Sequence, residues 1–298
     1  MKRTLFIILL LVVAGLGFLF TQGYFDGDTL DPLPDERTEK IDVPDESNDG
    51  LDSGEEEGDS DGGDGDEAPI DREHGRDIEG RIAIIIDDLG YSSEMDIKLS
   101  EIEHNLTLAV LPFLEGTSNA VDRFKDVNNF ELILHLPLEP MSADAHEEHM
   151  MMVDMERNEI VDLLERAVDD IGVNVRGLNN HKGSRFTQDG GSMEILLTEV
   201  KERGLFFVDS YTIGSSVGYE MSSQMEIPTA RRDVFLDNVD DRDSIKAKLR
   251  ELEEIAGNRG SAIGIGHHKD ITLEVLKEEM PEMERRGIEF VFVSQLLE

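Results

Sequence analysis

The sequence predicts an α/β domain over residues 81–298, with parallel strands covered by helices and arranged as a barrel of the β/α kind. Two observations predict it. Short unbroken apolar runs recur along this stretch, as strands buried on both faces require, and amphipathic stretches of helical length separate them. A third observation concerns function: the runs repeatedly end in polar, chemistry-bearing residues, at the strand ends where parallel folds collect their reactive groups.

In chain order the predicted strands are residues 82–86, 106–111, 132–136, 205–208, 262–265 and 290–293, and covering helices are predicted between them, as over residues 159–168, 192–202 and 243–256. What precedes them has another character. Lys2 and Arg3 lead into an apolar stretch, residues 5–20, interrupted only by glycines. This reads as an export signal. No clean small-x-small cleavage site follows it, which favours a membrane anchor over residues 1–25 with its basic end inside. Residues 26–80, rich in Asp, Glu, Gly, Ser and Pro, hold too little apolar surface to offset chain entropy and read as a disordered acidic linker. The expected location of the domain is extracytoplasmic, membrane-anchored or secreted.

The whole chain carries 67 acidic residues against 28 basic ones. That balance excludes a nucleic-acid binder, which needs a cationic surface, and argues against polyanionic partners. The acids are unevenly spread: 23 face 4 bases in residues 21–80, and 44 face 22 from residue 81 onward. The excess on the folded part suits a surface kept soluble by carboxylates, as in high-salt surroundings where screening weakens their repulsion. There is no cysteine, so disulfides, thiolate metal ligands and a Cys nucleophile are all ruled out.

Four strand ends carry the candidate chemistry: Asp87 and Asp88 after the first run, His135 in the third, Asp209 after the fourth, and His267 with His268 after the fifth. A further cluster, Asn179, Asn180, His181, Ser184 and Thr187, reads as a loop and adds another ligand. Each has a plainer reading. Paired Asp residues cap helices, a buried His can be a satisfied core residue, and two His can share an inert polar turn. His74, His104, His146 and His149 sit among charged residues and read as surface positions. Together, however, one carboxylate and two neutral imidazoles make a site for a divalent ion, for which zinc is the expected occupant on ligand type.

These residues resemble the divergent polysaccharide deacetylases, relatives of the carbohydrate esterase family 4 deacetylases. The likeness spans nearly all of residues 81–297. It rests on Ile-Ala-Ile-Ile-Ile-Asp87-Asp88-Leu-Gly90, His135-Leu-Pro137-Leu-Glu139-Pro140, Asn179-Asn180-His181-Lys-Gly183-Ser184-Arg-Phe-Thr187, Phe206-Phe-Val-Asp209-Ser210, Arg232-Asp233-Val-Phe-Leu-Asp237-Asn238 and Ile265-Gly266-His267. The resemblance implies a distorted (β/α) barrel of the glycoside hydrolase/deacetylase type. It implies that Asp87 is the base, that Asp88 and His135 bind the metal, and that His267 is the general acid. The related deacetylases take both histidine ligands from a His-x-x-x-His motif, whereas here Glu139 stands four positions after His135, so the second ligand is assigned to His181. Asn180, Ser184, Asp209, Arg232 and Asp233 are expected to bind substrate or orient these groups.

The expected activity is metal-dependent removal of acetyl groups from an envelope or extracellular glycan. Two alternatives stand beside it: a glycosidase using Asp87 with Asp209 or Asp237, and a membrane-tethered glycan-binding or envelope-assembly protein that keeps the barrel without turnover.

Overall fold

The computed structural model describes residues 78–172 and 175–298. The expected anchor over residues 1–25 and almost all of the expected acidic linker lie outside the described residues. Among those that are described, no helix is long and apolar enough to cross a membrane.

One sheet organises the domain, and every strand pairing in it is parallel. Its strands are β1 (Gly80–Leu89), β2 (Leu106–Val110), β3 (Phe130–Leu138), β4 (Gly177–Lys182), β5 (Phe206–Asp209), β6 (Thr229–Arg231), β7 (Val234–Phe235), β8 (Ser261–His267) and β9 (Ile288–Val291). Their spatial order runs β6-β5-β4-β3-β2-β1-β8-β7. β9 pairs with the first residues of β1, on the edge that β2 takes over from Ile85 onward.

The order is that of a barrel, but among the described residues the ring is not closed. β6 and β7 stand at its two ends, so the fold is a half-barrel rather than a full (β/α) barrel. The reason is covalent. Only Arg232 and Asp233 join these two strands, and parallel neighbours need a crossover of a dozen or so residues. An open seam between β6 and β7 follows.

Alternation along the strands divides the core. Ala83, Ile85, Ala109, Ile133, Phe206, Val208, Ala230, Ile263, Ile265, Val291 and Val293 pack inside the half-barrel. The intervening residues, such as Ile82, Ile84, Leu108, Leu134 and Phe207, face outward into the larger cluster beneath the helices. Those helices are α1 (Ser93–Leu99), α2 (Thr117–Phe124), α3 (Arg157–Ile171), α4 (Gly190–Glu202), α5 (Gly218–Gln224), α6 (Arg242–Arg259) and α7 (Asp270–Arg285). Local chemistry sets several ends: Asp189 and Asp241 cap α4 and α6 through their carboxylates, and Gly172 and Gly260 take the left-handed conformation after α3 and α6.

The structure corrects one local expectation. Asn179, Asn180 and His181 do not lie in a loop; they belong to β4, in register with β3 through His135↔Asn179 and Pro137↔His181. Polar residues fill this short strand because its inner face meets the reactive end of the sheet rather than the apolar interior.

Candidate functional site

The inner face of the sheet stays apolar until it reaches the C-terminal strand ends, where the same two-residue alternation delivers polar groups. Ile85 is followed by Asp87, Ile133 by His135, Val208 by Ser210 and Ile265 by His267, while β4 presents both Asn179 and His181. Strand register completes the assembly. Asp87 lies beside His267 across β1 and β8, and His135 lies beside Asn179 across β3 and β4.

Asp88 breaks the alternation. The β1–β2 register shifts between Ile86 and Leu89, and Asp88 itself sits at φ 68°, in the left-handed region. This bulge brings its carboxylate to the same centre as the inward-facing residues. One ligand atom each from Asp88, His135 and His181 then falls within 4.8 Å of the others. Asp88 Oδ1 lies 3.3 Å from His135 Nε2 and 3.0 Å from His181 Nδ1.

The hydrogen bonds on the far side of each imidazole show whether these atoms fit a cation. Asn179 Nδ2 donates to Asp87 Oδ1 at 2.8 Å and to Ser210 Oγ at 3.2 Å, so its Oδ1 is the acceptor that faces His135 Nδ1 at 2.7 Å. Nδ1–H is therefore the donor, and the Nε2 lone pair points at Asp88. His181 Nε2 approaches Glu147 Oε2 at 3.2 Å, a carboxylate that can only accept, so Nε2 carries a proton and Nδ1, once deprotonated, turns its lone pair toward Asp88. Asp88 Oδ1 is buried without a hydrogen-bond partner. With both imidazoles neutral, three acceptors converge on one space and repel each other unless a proton on His181 Nδ1 or a cation sits among them, and donation of the second ring N–H to an acceptor is how metal-ligating histidines are commonly held. The residues fit a divalent ion.

The charges agree with this arrangement. Burial raises the Asp88 carboxyl, but the close approach of His135 and His181 more than offsets it and holds it well below the ordinary carboxylate range. Burial would lower His181, yet Asp88 and Glu147 outweigh it and push the imidazole up to about 9. Burial raises Asp87, only partly countered by His135 and His267. His267 is lowered by burial, but Asp237 leads the groups that raise it above its ordinary value. Its Nδ1 bonds Asp237 Oδ1 at 2.8 Å, Thr272 Oγ1 anchors the other Asp237 oxygen, and Nε2 comes within 4.0 Å of Asp88 Oδ2.

The other residues expected to bind substrate or orient these groups make the following contacts. Asn180 accepts from the Ser210 backbone N–H and donates to the Lys182 carbonyl, while Ser184 Oγ accepts from the Met141 N–H; both tie loops together. Asp209 is wholly buried and receives Ser216 Oγ and the backbone N–H groups of Tyr211 and Tyr219. Asp233 bonds the Ile263 N–H and Arg259, bracing β8 well below the strand ends. Arg232 clamps the carbonyls of Ser210 and Tyr211 through Nε and Nη2. With Asp209 so enclosed and Asp237 committed to His267, neither stands as the free second carboxylate that a glycosidase needs.

Sequence reasoning missed three participants. Glu147 arrives from the long segment after β3 with no signal in its surroundings. Asn179 sits inside a quoted motif yet offers no charge. Asp237 stands in a quoted motif, but the sole role the sequence suggests for it is that of a glycosidase carboxylate. His268, next to His267, is buried against Asp96, with 3.5 Å between Nε2 and Oδ1, and burial lowers its imidazole to about 4.

A family model described as divergent polysaccharide deacetylase matches residues 84–297. The uncharacterized protein YibQ of Escherichia coli K12 is 29% identical over 203 residues, which cover 67% of this chain and 62% of that protein, so the chain spans less than two thirds of its length. An uncharacterized protein of Haemophilus influenzae is 30% identical over 200 residues, 66% of this chain and 70% of its own. Among solved structures, an uncharacterized protein of Agrobacterium tumefaciens C58 superposes with a TM-score of 0.70 at 26% identity, covering 75% of this chain and 91% of that one. A mutant of a Bacillus anthracis carbohydrate esterase family 4 pseudoenzyme with restored enzymatic activity shares the fold, with a TM-score of 0.50 at 16% identity over 74% and 68% of the two chains.

Proposed function

The chain belongs to the divergent polysaccharide deacetylase family, and on that premise we propose that it is a metal-dependent hydrolase that removes acetyl groups from a glycan, with Asp88, His135 and His181 holding the ion. One observation carries the reading: three ligand atoms from three strands meet within 4.8 Å of one another around a buried Asp88 oxygen. Bound there, a divalent ion, which we take to be zinc on its ligand set, would supply Lewis acidity toward an acetyl carbonyl and its attacking water.

The protein's own groups divide the proton work. Asp87, buried and made more basic by burial, takes a proton from the attacking water as its oxygen bonds the acetyl carbon. Asp237, gripping Nδ1, favours the protonated form of His267. From Nε2 the imidazole protonates the departing amine or alkoxide as the acyl bond breaks, and acetate and the free sugar group are the products. A base and an acid placed as cross-strand neighbours suit this order of events, each contributing on the order of 10²–10⁴-fold.

The test joins metal analysis to acetate release from N- and O-acetylated glycans. Purified protein should hold one divalent ion, lost in His135→Ala and His181→Ala, while Asp87→Asn should keep the ion and release no acetate. Acetate release that survives in Asp87→Asn would overturn the mechanism. We also propose an extracytoplasmic, tethered location through residues 1–25, and a cell-surface protease that fails to reach the domain in intact spheroplasts would refute it.

A further inference from the structure

Asn179 has no exposure to solvent, and its side chain bonds both halves of the centre. Its Oδ1 faces His135 Nδ1 at 2.7 Å and its Nδ2 reaches Asp87 Oδ1 at 2.8 Å, with Ser210 Oγ a second acceptor at 3.2 Å. The amide cannot be reversed without cost. Turned over, its NH₂ would face the imidazole N–H and its oxygen would face a carboxylate, so two good bonds would become two repulsions. Placement on β4, opposite His135 in the parallel register, fixes its backbone as well.

We propose that Asn179 is a positioning residue with two separable duties, its carbonyl serving the cation-binding half of the site and its amide serving the base. This rests on the deacetylase reading above and deepens it. The oxygen keeps the proton of His135 on Nδ1, leaving Nε2 free for an ion. The nitrogen holds Asp87 through Oδ1, which leaves Oδ2, 3.6 Å from His135 Nε2, as the oxygen available to a reacting water. Ser210 steadies the amide from the side, and its own N–H is held by Asn180 Oδ1, so β4 and β5 brace the joint together.

An almost isosteric variant separates the two duties. Asn179→Asp keeps an acceptor for His135 Nδ1 but replaces the donor to Asp87 with a second carboxylate oxygen. Asn179→Ala removes both. The experiment measures zinc affinity by chelator competition and kcat and KM for acetate release on the full chain. Asn179→Asp should hold zinc within about threefold of wild type, or more tightly, while kcat falls on the order of 10²-fold or more and KM changes little. Asn179→Ala should lose roughly 10- to 100-fold in zinc affinity, the usual consequence of removing a ligand's outer support. Ser210→Ala, a milder change, should lower kcat severalfold with zinc affinity retained.

Equal loss of zinc in the Asp and Ala variants would overturn the carbonyl's duty, and an unchanged kcat in the Asp variant would overturn the amide's. Should either Asn179 variant fail to fold, Ser210→Ala decides by the same split: a loss of zinc with kcat preserved would overturn the proposal. The zinc arm needs no turnover. A chain that binds zinc as described but releases no acetate from any glycan would defeat the deacetylase reading while leaving the carbonyl's duty standing.

Discussion

Loading of the centre should be strongly pH-dependent, because a cation must displace a proton from His181. In the ion-free chain burial lowers this imidazole, but Asp88 and Glu147 on its two nitrogens outweigh burial and hold it near pKa 9. Below that value the ring is protonated, and zinc must evict one proton to reach Nδ1. Each pH unit well below 9 weakens apparent affinity tenfold, so at pH 7 the penalty is about 2.7 kcal/mol relative to the fully deprotonated ring. The same sign holds for the ion-free fold: the grip on His181 stabilises fully below the ordinary value of 6.5 and is lost as pH rises through 9. Chelator competition from pH 6.5 to 9, with calorimetry in two buffers of different ionisation enthalpy, reads both slope and proton count. Glu147→Gln should move the break to lower pH by removing one of the two carboxylates. Affinity that stays flat between pH 7 and 9, or uptake that releases no proton, would refute the argument.

Other outcomes follow from individual contacts. Asp237→Asn should cost on the order of 10³-fold in kcat with zinc binding intact, since it loosens His267 Nδ1 without touching a ligand atom. His268, lowered to about 4 by burial, takes up protons more readily when unfolded, so stability should be complete above about pH 6.5 and fall toward pH 4 by about 3 kcal/mol. Urea titrations across that range should show the fall in wild type and a smaller one in His268→Gln. A Cβ at position 116 would lie 2.2 Å from the Gly90 carbonyl oxygen, a backbone atom close to Asp88, so Gly116→Ala should lower stability by about 2 kcal/mol and weaken zinc binding as well.

The parts of the fold that could be read in advance were those with redundant physical signals. β1, β2, β3, β5 and β8 announce themselves as apolar runs because they are buried on both faces, and α3, α4 and α6 carry a clear helical stripe. β6 and β7, of three and two residues, are too short for any periodicity, and with them the open seam was invisible. Pro281 interrupts the sequence pattern of α7, and the short helices α1, α2 and α5 have too few turns to show a periodicity. β4 reads as a loop in the sequence because its polar inner face belongs to the site. In the site itself, Asp87, Asp88, His135 and His267 stood out as charged or imidazole residues at strand ends. Asn179 and Glu147 did not, since a neutral amide and one more acid in an acidic chain become informative only when distances are known.

The left-handed bulge at Asp88 puts two unrelated demands on a single position. The backbone there admits Gly, Asn and Asp far more readily than bulkier side chains, whereas a cation asks for an anionic oxygen of short reach. Only aspartate meets both, so a full mutational scan of this codon should split into three classes: Asp functional, Asn and Gly folded but blank, everything else impaired in folding too. The blank class is useful in its own right. A correctly shaped but inert receptor would let candidate polymers be captured and identified without being altered.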